Sequence, residues 1–146
     1  MTLTGEYQPS ASGWVRDQVE LYERTGGAEG NTIMDRPIVV ITSRGARSGN
    51  VRKNPVMRVE HDGVYAAVAS KGGDPHHPDW YYNFIADPHV ELQDGPEPVA
   101  YVARLVEGDE RAEWCERAVA AYPPYADYQR KTDRHIPVFV LERAQP

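Results

Sequence analysis

Residues 36–69, RPIVVITSRGARSGNVRKNPVMRVEHDGVYAAVA, decide the fold. Pro37-Ile38-Val39-Val40-Ile41-Thr42 is short, apolar and β-branched, the pattern of a buried strand. Gly45-Ala46-Arg47-Ser48-Gly49-Asn50 reads as a turn. Val51 to Glu60 reads as a second strand, in which Pro55 lacks the N–H that a central ladder needs and so predicts an edge or a bulge. His61-Asp62-Gly63 is a hairpin signal, and Val64 to Ala69 is a third strand. Three such strands in succession predict an antiparallel meander.

Upstream, residues 1–9 are polar and expected to be loose. Ser10 to Arg24 has helical spacing: Trp14, Val15, Val19, Leu21 and Tyr22 recur near a 3.6-residue period. Ser10 or Ser12 is placed to cap its start, and Gly26-Gly27 to stop it. Its apolar face is expected to cover a sheet, with contact to a membrane surface as the alternative. Downstream, Pro78 to Ala86 is a short helix with proline at its first turn and Asp87-Pro88 at its end. Val90 to Gln93 and Pro98 to Val106 are strands around Asp94-Gly95-Pro96. Asp109 to Ala121 is a helix with Ala112, Cys115 and Val119 on one face; Pro123-Pro124 breaks it, and a second short helix runs to Lys131. Ile136 to Leu141 is the last strand. Six short strands with flanking and inserted helices predict an α+β class, mainly β: a small barrel decorated by helices, in one domain over residues 1–146.

A net charge of −6 argues against a general nucleic-acid binder. The single cysteine, Cys115, excludes an internal disulfide and fits a reducing cytoplasm. The first residues show no basic region ahead of an apolar core, and no run of about 18 apolar residues occurs to span a membrane.

Against this acidic background lies a basic island. Arg36, Arg44, Arg47, Arg52, Lys53 and Arg58 fall within 23 residues that contain no Asp or Glu. Local cations of this density suit a small polyanion. Strand alternation sends Arg52 and Asn54 one way and Lys53 the other, so the island cannot all face one ligand. Arg44, Arg47, Ser48 and Arg52 around the turn are the candidates to converge on phosphate or carboxylates. Ser70-Lys71-Gly72-Gly73 follows the third strand, where two glycines permit close backbone approach to a ligand. Pro78-Asp79-Trp80-Tyr81-Tyr82-Asn83 brings aromatic surface for a flat ring. Tyr122, Tyr125 and Tyr128 are spaced to share a place near a short helix, either as phenol donors or as core rim. His76-His77 lacks a third metal ligand at useful spacing, so no metal is expected. Cys115 has no activating base nearby in sequence, and no Gly-x-Ser-x-Gly elbow is present.

The ordered set Ile-Thr-Ser-Arg-Gly-Ala-Arg-Ser-Gly (41–49), Ala-Ser-Lys-Gly-Gly (69–73), His-Pro-Asp-Trp-Tyr-Tyr-Asn (77–83) and Tyr-Ala-Asp-Tyr-Gln-Arg-Lys-Thr-Asp-Arg (125–134) resembles the deazaflavin-dependent nitroreductase family of actinobacteria. The resemblance runs from about Pro37 to Leu141 and implies a split β-barrel related to flavin-nucleotide-binding barrels. It implies the 8-hydroxy-5-deazaflavin coenzyme F-420, with its phosphate and polyglutamate tail, as hydride donor to quinones or nitroaromatics. By matching positions it places Ala46, Arg47, Ser48, Arg52, Lys53, Asn54, Pro55, Val56 and Met57 around the phosphate and tail. Val68, Ala69, Ser70, Lys71, Asp79, Trp80, Tyr81, Tyr82 and Asn83 would line the deazaflavin, and Tyr125 would touch it. Ser70, Tyr122 and Tyr128 would border the acceptor, and with Tyr125 these are the expected catalytic residues. Ala46 departs from the family, which often carries a basic residue there. A non-catalytic deazaflavin carrier and a barrel binding flavin mononucleotide (FMN) are the alternatives. The expected setting is cytoplasmic or peripheral to the inner face of the membrane, as a monomer or weak homodimer with a small-molecule acceptor as partner.

Overall fold

The computed structural model describes residue 3 and residues 5–145. Eight strands occur among them: β1 Thr32–Ile33, β2 Arg36–Arg44, β3 Val51–Met57, β4 Val59–His61, β5 Val64–Val68, β6 His89–Gln93, β7 Pro98–Leu105 and β8 Val138–Arg143. Four α-helices accompany them: α1 Gly13–Thr25, α2 Asp79–Ala86, α3 Gly108–Ala121 and α4 Pro124–Lys131.

All strand pairings are antiparallel, in the order β1-β2-β6-β7-β8-β5-β4, with β3 on the other edge of β2. β3 and β4 are separated by Arg58 alone. The sheet therefore curls until its two ends are consecutive in the chain, and the ring is joined there by covalent bonds instead of a ladder. This is a split barrel, as the resemblance implies. The predicted middle strand is thus two strands: its first part pairs with β2 and its last part with β5. Pro55 lies opposite Val40 on β3, whose only ladder is to β2, so its missing N–H removes nothing from the sheet. Asp62 (φ 53°) and Gly63 (φ 80°) are both left-handed, as a two-residue hairpin turn requires.

The apolar run in β2 is continuous because both of its faces are covered. Val39 and Ile41 enter the barrel interior with Val90, Leu92, Phe139, Leu141, Trp80 and Phe84. Ile38 and Val40 pack instead against Val19 and Tyr22 of α1. β8 has the same construction, with Phe139 and Leu141 inside and Val138 and Val140 under Trp114 and Ala118 of α3. The buried stripe of α3 is therefore Trp114 and Ala118 with Cys115 beside it, and the predicted Ala112 is exposed.

α1 begins three residues later than predicted, and neither serine side chain caps it; Ser10 Oγ accepts from Ser12 N instead. Its stop is as read: Gly26 is left-handed at φ 61°, and Gly27 N–H returns to Tyr22 O. Tyr22 OH donates to Gln93 O and accepts from Gly95 N, which pins α1 across the β6–β7 hairpin. The N-terminal segment makes backbone hydrogen bonds to the sheet. Val51 N–H donates to Glu6 O at 2.8 Å and Gln8 N–H to Val51 O at 2.9 Å, so residues 6–8 form a strap on β3. Residues 1, 2 and 4 lie outside the described residues. β1, too short for a periodic signal, and a single 3₁₀ turn at Lys71–Gly73 complete the fold.

Candidate active site

A cavity of about 910 Å³ opens between the β2–β3 hairpin, α1, the Ser70 turn, α2 and the α3–α4 elbow. Its size is that of a cofactor-plus-substrate site.

One wall is the β2–β3 hairpin. Gly45 N–H donates to Asn50 O at 2.7 Å, Gly49 N–H to Gly45 O at 3.0 Å and Asn50 N–H to Ser48 Oγ at 3.0 Å, which closes the turn on itself. Gly49 sits at φ 74°, where a side chain would be strained. The turn is tied to α2 by Ala46 N–H, which donates to Asn83 Oδ1 at 2.9 Å. Asn83 is buried, so its amide props the turn from behind. Ala46, Arg47 and Ser48 line the cavity from the turn, and Arg52, Asn54, Pro55, Val56 and Met57 from β3.

The basic island divides by strand face. Arg47 and Arg52 line the cavity. Lys53 points away and pairs with Glu23 of α1. Arg58 pairs with Asp94 at 2.8 Å, and Arg36 reaches Ala121 O. Arg44, expected to converge with Arg47 and Arg52, lies 3.5 Å from Asp87 and is not among the lining residues. The cations of the cavity are thus Arg47, Arg52 and Lys71.

The floor comes from Val68, Ser70, Lys71, Asp79, Trp80, Tyr82 and Asn83. Two residues of the same stretches do not line it. Ala69 is fully buried in the barrel core. Tyr81 packs against that core and stacks on His77, ring centroids 4.1 Å apart.

The opposite wall is the elbow between α3 and α4, where Pro123 and Pro124 force the turn. Tyr122, Tyr125 and Tyr128 meet there with ring centroids 5.0–6.1 Å apart. Tyr122 OH lies 2.8 Å from Tyr128 OH and 3.3 Å from Met34 Sδ. Burial raises the Tyr125 phenol pKa, as would negative charge on its two neighbours. Burial, then the hydrogen bond that its hydroxyl makes with Tyr122 OH, pushes Tyr128 up to about 12. All three spacings place phenol groups at one point of the wall, and Tyr125 and Tyr128 stay protonated donors near neutrality.

The sequence names no individual site residue in the N-terminal region. Ser10, Ser12, Trp14 and Val15 line the cavity, as does Ile33 of β1. One signal was present: Trp14 stands off the Val15–Val19–Tyr22 stripe, and it is 60% exposed at the cavity rim. His77 faces Arg134 and His76 pairs with Asp74; among the described residues no group of three His, Cys, Asp or Glu gathers as for a metal.

The family described as F420H(2)-dependent quinone reductase matches residues 14–143. An F420H(2)-dependent quinone reductase of Mycobacterium tuberculosis is 34% identical over 127 residues, covering 84% of this chain and 85% of that protein. A solved F420-H2-dependent reductase is 57% identical with a TM-score of 0.69, covering 76% of this chain and 98% of its own. A solved domain-swapped dimer is 54% identical with a TM-score of 0.71, covering 91% of this chain and all of its own. A heme storage protein of Vibrio cholerae, at 12% identity and a TM-score of 0.57, shares the fold alone. The chain belongs to the F420H(2)-dependent quinone reductase family, and coenzyme F-420 is its cofactor.

Proposed function

We propose that the protein transfers a hydride from reduced coenzyme F-420 to a quinone-like or nitroaromatic acceptor, with the cavity holding both. The observation that carries this reading is the polarity of the cavity: guanidinium groups on one wall, neutral phenols on the other, aromatic floor between. The donor set fits the coenzyme. Arg47 and Arg52 offer planar forks suited to phosphate and carboxylate oxygens, and the Ala46–Ser48 turn lies beside them. Trp80 and Tyr82 supply flat apolar surface for the ring system.

When bound, the coenzyme supplies a two-electron hydride donor, so the protein needs no redox group of its own. The task left to the chain is alignment and charge support. Ser70 and the Tyr122–Tyr125–Tyr128 wall would orient the acceptor and donate hydrogen bonds to the oxygen that gains negative charge. Lys53, Ala69 and Tyr81 would act from outside the cavity, Ala69 and Tyr81 by packing beneath its floor. Trp14, largely exposed at the rim, gives the mouth an apolar edge that suits a lipophilic acceptor. Peripheral contact with the inner membrane face and a cytoplasmic site of action belong to the same reading; no helix among the described residues is long and apolar enough to cross a membrane.

The test is oxidation of reduced coenzyme F-420 by purified protein with menadione and with a nitroaromatic, followed by coenzyme absorbance. Turnover with either acceptor is expected. Tight coenzyme binding without turnover, unchanged in Tyr122→Phe and Tyr128→Phe, would favour the carrier instead.

A further inference from the structure

One side chain joins the floor of the cavity to the segment after α4. Arg134 Nε donates to Asp74 O at 3.2 Å, and Nη2 to the same oxygen at 3.0 Å. Nη2 also donates to Ser70 O at 2.8 Å, Nη1 to Ala69 O at 2.9 Å, and Nη1 lies 2.8 Å from His77 Nδ1. A guanidinium has five N–H groups in a rigid fork, and these contacts occupy all five. None of the acceptors is a carboxylate. Because arginine cannot give up its proton, His77 Nδ1 must accept, which places the imidazole proton on Nε2. An arginine bonded to carbonyls fixes backbone geometry; it does not balance charge.

The backbone it fixes is unfavourable on its own. Lys71, Gly72 and Gly73 are all left-handed, at φ 46°, 64° and 84°. Lys71 carries a Cβ in that region, so the turn needs outside support. The turn is also pressed onto α4: a Cβ added at Gly73 would lie 2.9 Å from Lys131 Cβ and 3.0 Å from Tyr128 O. Arg134's own segment is held to the helices in turn. Gln129 Nε2 donates to Arg134 O at 2.7 Å, Ile136 N–H donates to Gln129 Oε1 at 3.1 Å, and Arg111 Nη2 donates to Ile136 O at 2.7 Å. A continuous set of hydrogen bonds therefore runs from Ser70 to the helix that carries Tyr125 and Tyr128.

We propose that Arg134 is a positioning residue that sets the separation between the Ser70 edge of the cavity and its tyrosine wall. Donor and acceptor bound between these walls are held at reacting distance by it, although it touches neither. This rests on the function proposed above, so its test has one arm that does not depend on turnover.

Two variants serve. Arg134→Lys keeps the charge but has three donors on a flexible stem, and His77→Phe keeps a ring against Tyr81 while removing one acceptor. In the free protein, hydrogen–deuterium exchange across residues 69–77 should rise about tenfold in Arg134→Lys and less in His77→Phe, with α1 and β2 unchanged. With reduced coenzyme F-420 and menadione as probes, kcat should fall at least about tenfold in Arg134→Lys while the menadione KM stays within about threefold. Exchange and kcat both at wild-type values would overturn the proposal. So would raised exchange with unchanged kcat, which would leave Arg134 a structural clamp only. A wild-type protein without turnover would defeat the proposed function, and the exchange arm would still decide whether Arg134 sets the Ser70 turn. If Arg134→Lys does not fold, His77→Phe carries both measurements, with smaller effects of the same sign.

Discussion

Arg52 and Lys53 are adjacent in sequence and cationic, yet they belong to different parts of the molecule. Arg52 lines the cavity, whereas Lys53 crosses to Glu23 on the outer face of the sheet and joins β3 to α1. The strand pleat alone separates them. The same division holds between the two walls of the cavity. The hairpin wall offers permanent charge on a half-exposed strand, and the elbow wall offers neutral phenols held by burial. A basic run in a strand is thus not a ligand site at every position, and the uncharged wall must be found by other means.

The contrast can be broken most strongly at Arg52. Arg52→Ala should weaken binding of coenzyme F-420 by about 10- to 100-fold, the loss expected for a hydrogen bond to a charged group. It should also flatten the dependence of affinity on salt, because one screened contact is gone. Fluorescence titration at two ionic strengths measures both. Tyr122→Phe attacks the other wall and should act on turnover: coenzyme affinity stays within about twofold while kcat drops about tenfold as the Tyr122–Tyr128 pair is lost. Steady-state kinetics with menadione separates the two effects. The elbow also has a pH signature. The folded-state pKa of Tyr128 is raised to about 12, above the ordinary phenol value near 10. Its contribution to stability is therefore complete below about pH 10 and is lost as the pH rises toward about 12. Thermal melts of wild type and Tyr128→Phe across that range should converge in slope only if another tyrosine controls the loss. The smallest effect is expected at Lys53. Lys53→Met should leave coenzyme affinity within about twofold, since its ammonium group faces Glu23.

Strand positions were legible in the sequence because β2 and β8 are β-branched and covered on both faces. The split of the middle strand at Arg58 was not, because nothing in VMRVE marks a corner; the corner arises from closing the barrel. The turn wall was readable from its glycines and charges. Arg44 was misplaced because position on a turn does not say which acid, here Asp87, lies across it. The lining residues of α1 were hidden by a helix whose main stripe, Val15, Val19 and Tyr22, already accounts for its burial. The task of Arg134 is not legible in the sequence, since hydrogen bonds to backbone carbonyls leave no trace in residue type.

On the proposed function the hairpin wall receives an anionic deazaflavin. Titrating the purified protein with oxidised coenzyme F-420 and, separately, with flavin mononucleotide, at low and high salt, tests it most directly. Tight binding of coenzyme F-420 that weakens as salt rises, with much weaker binding of the flavin, is the predicted result. Preference for flavin mononucleotide, or coenzyme affinity that does not change with salt, would contradict it.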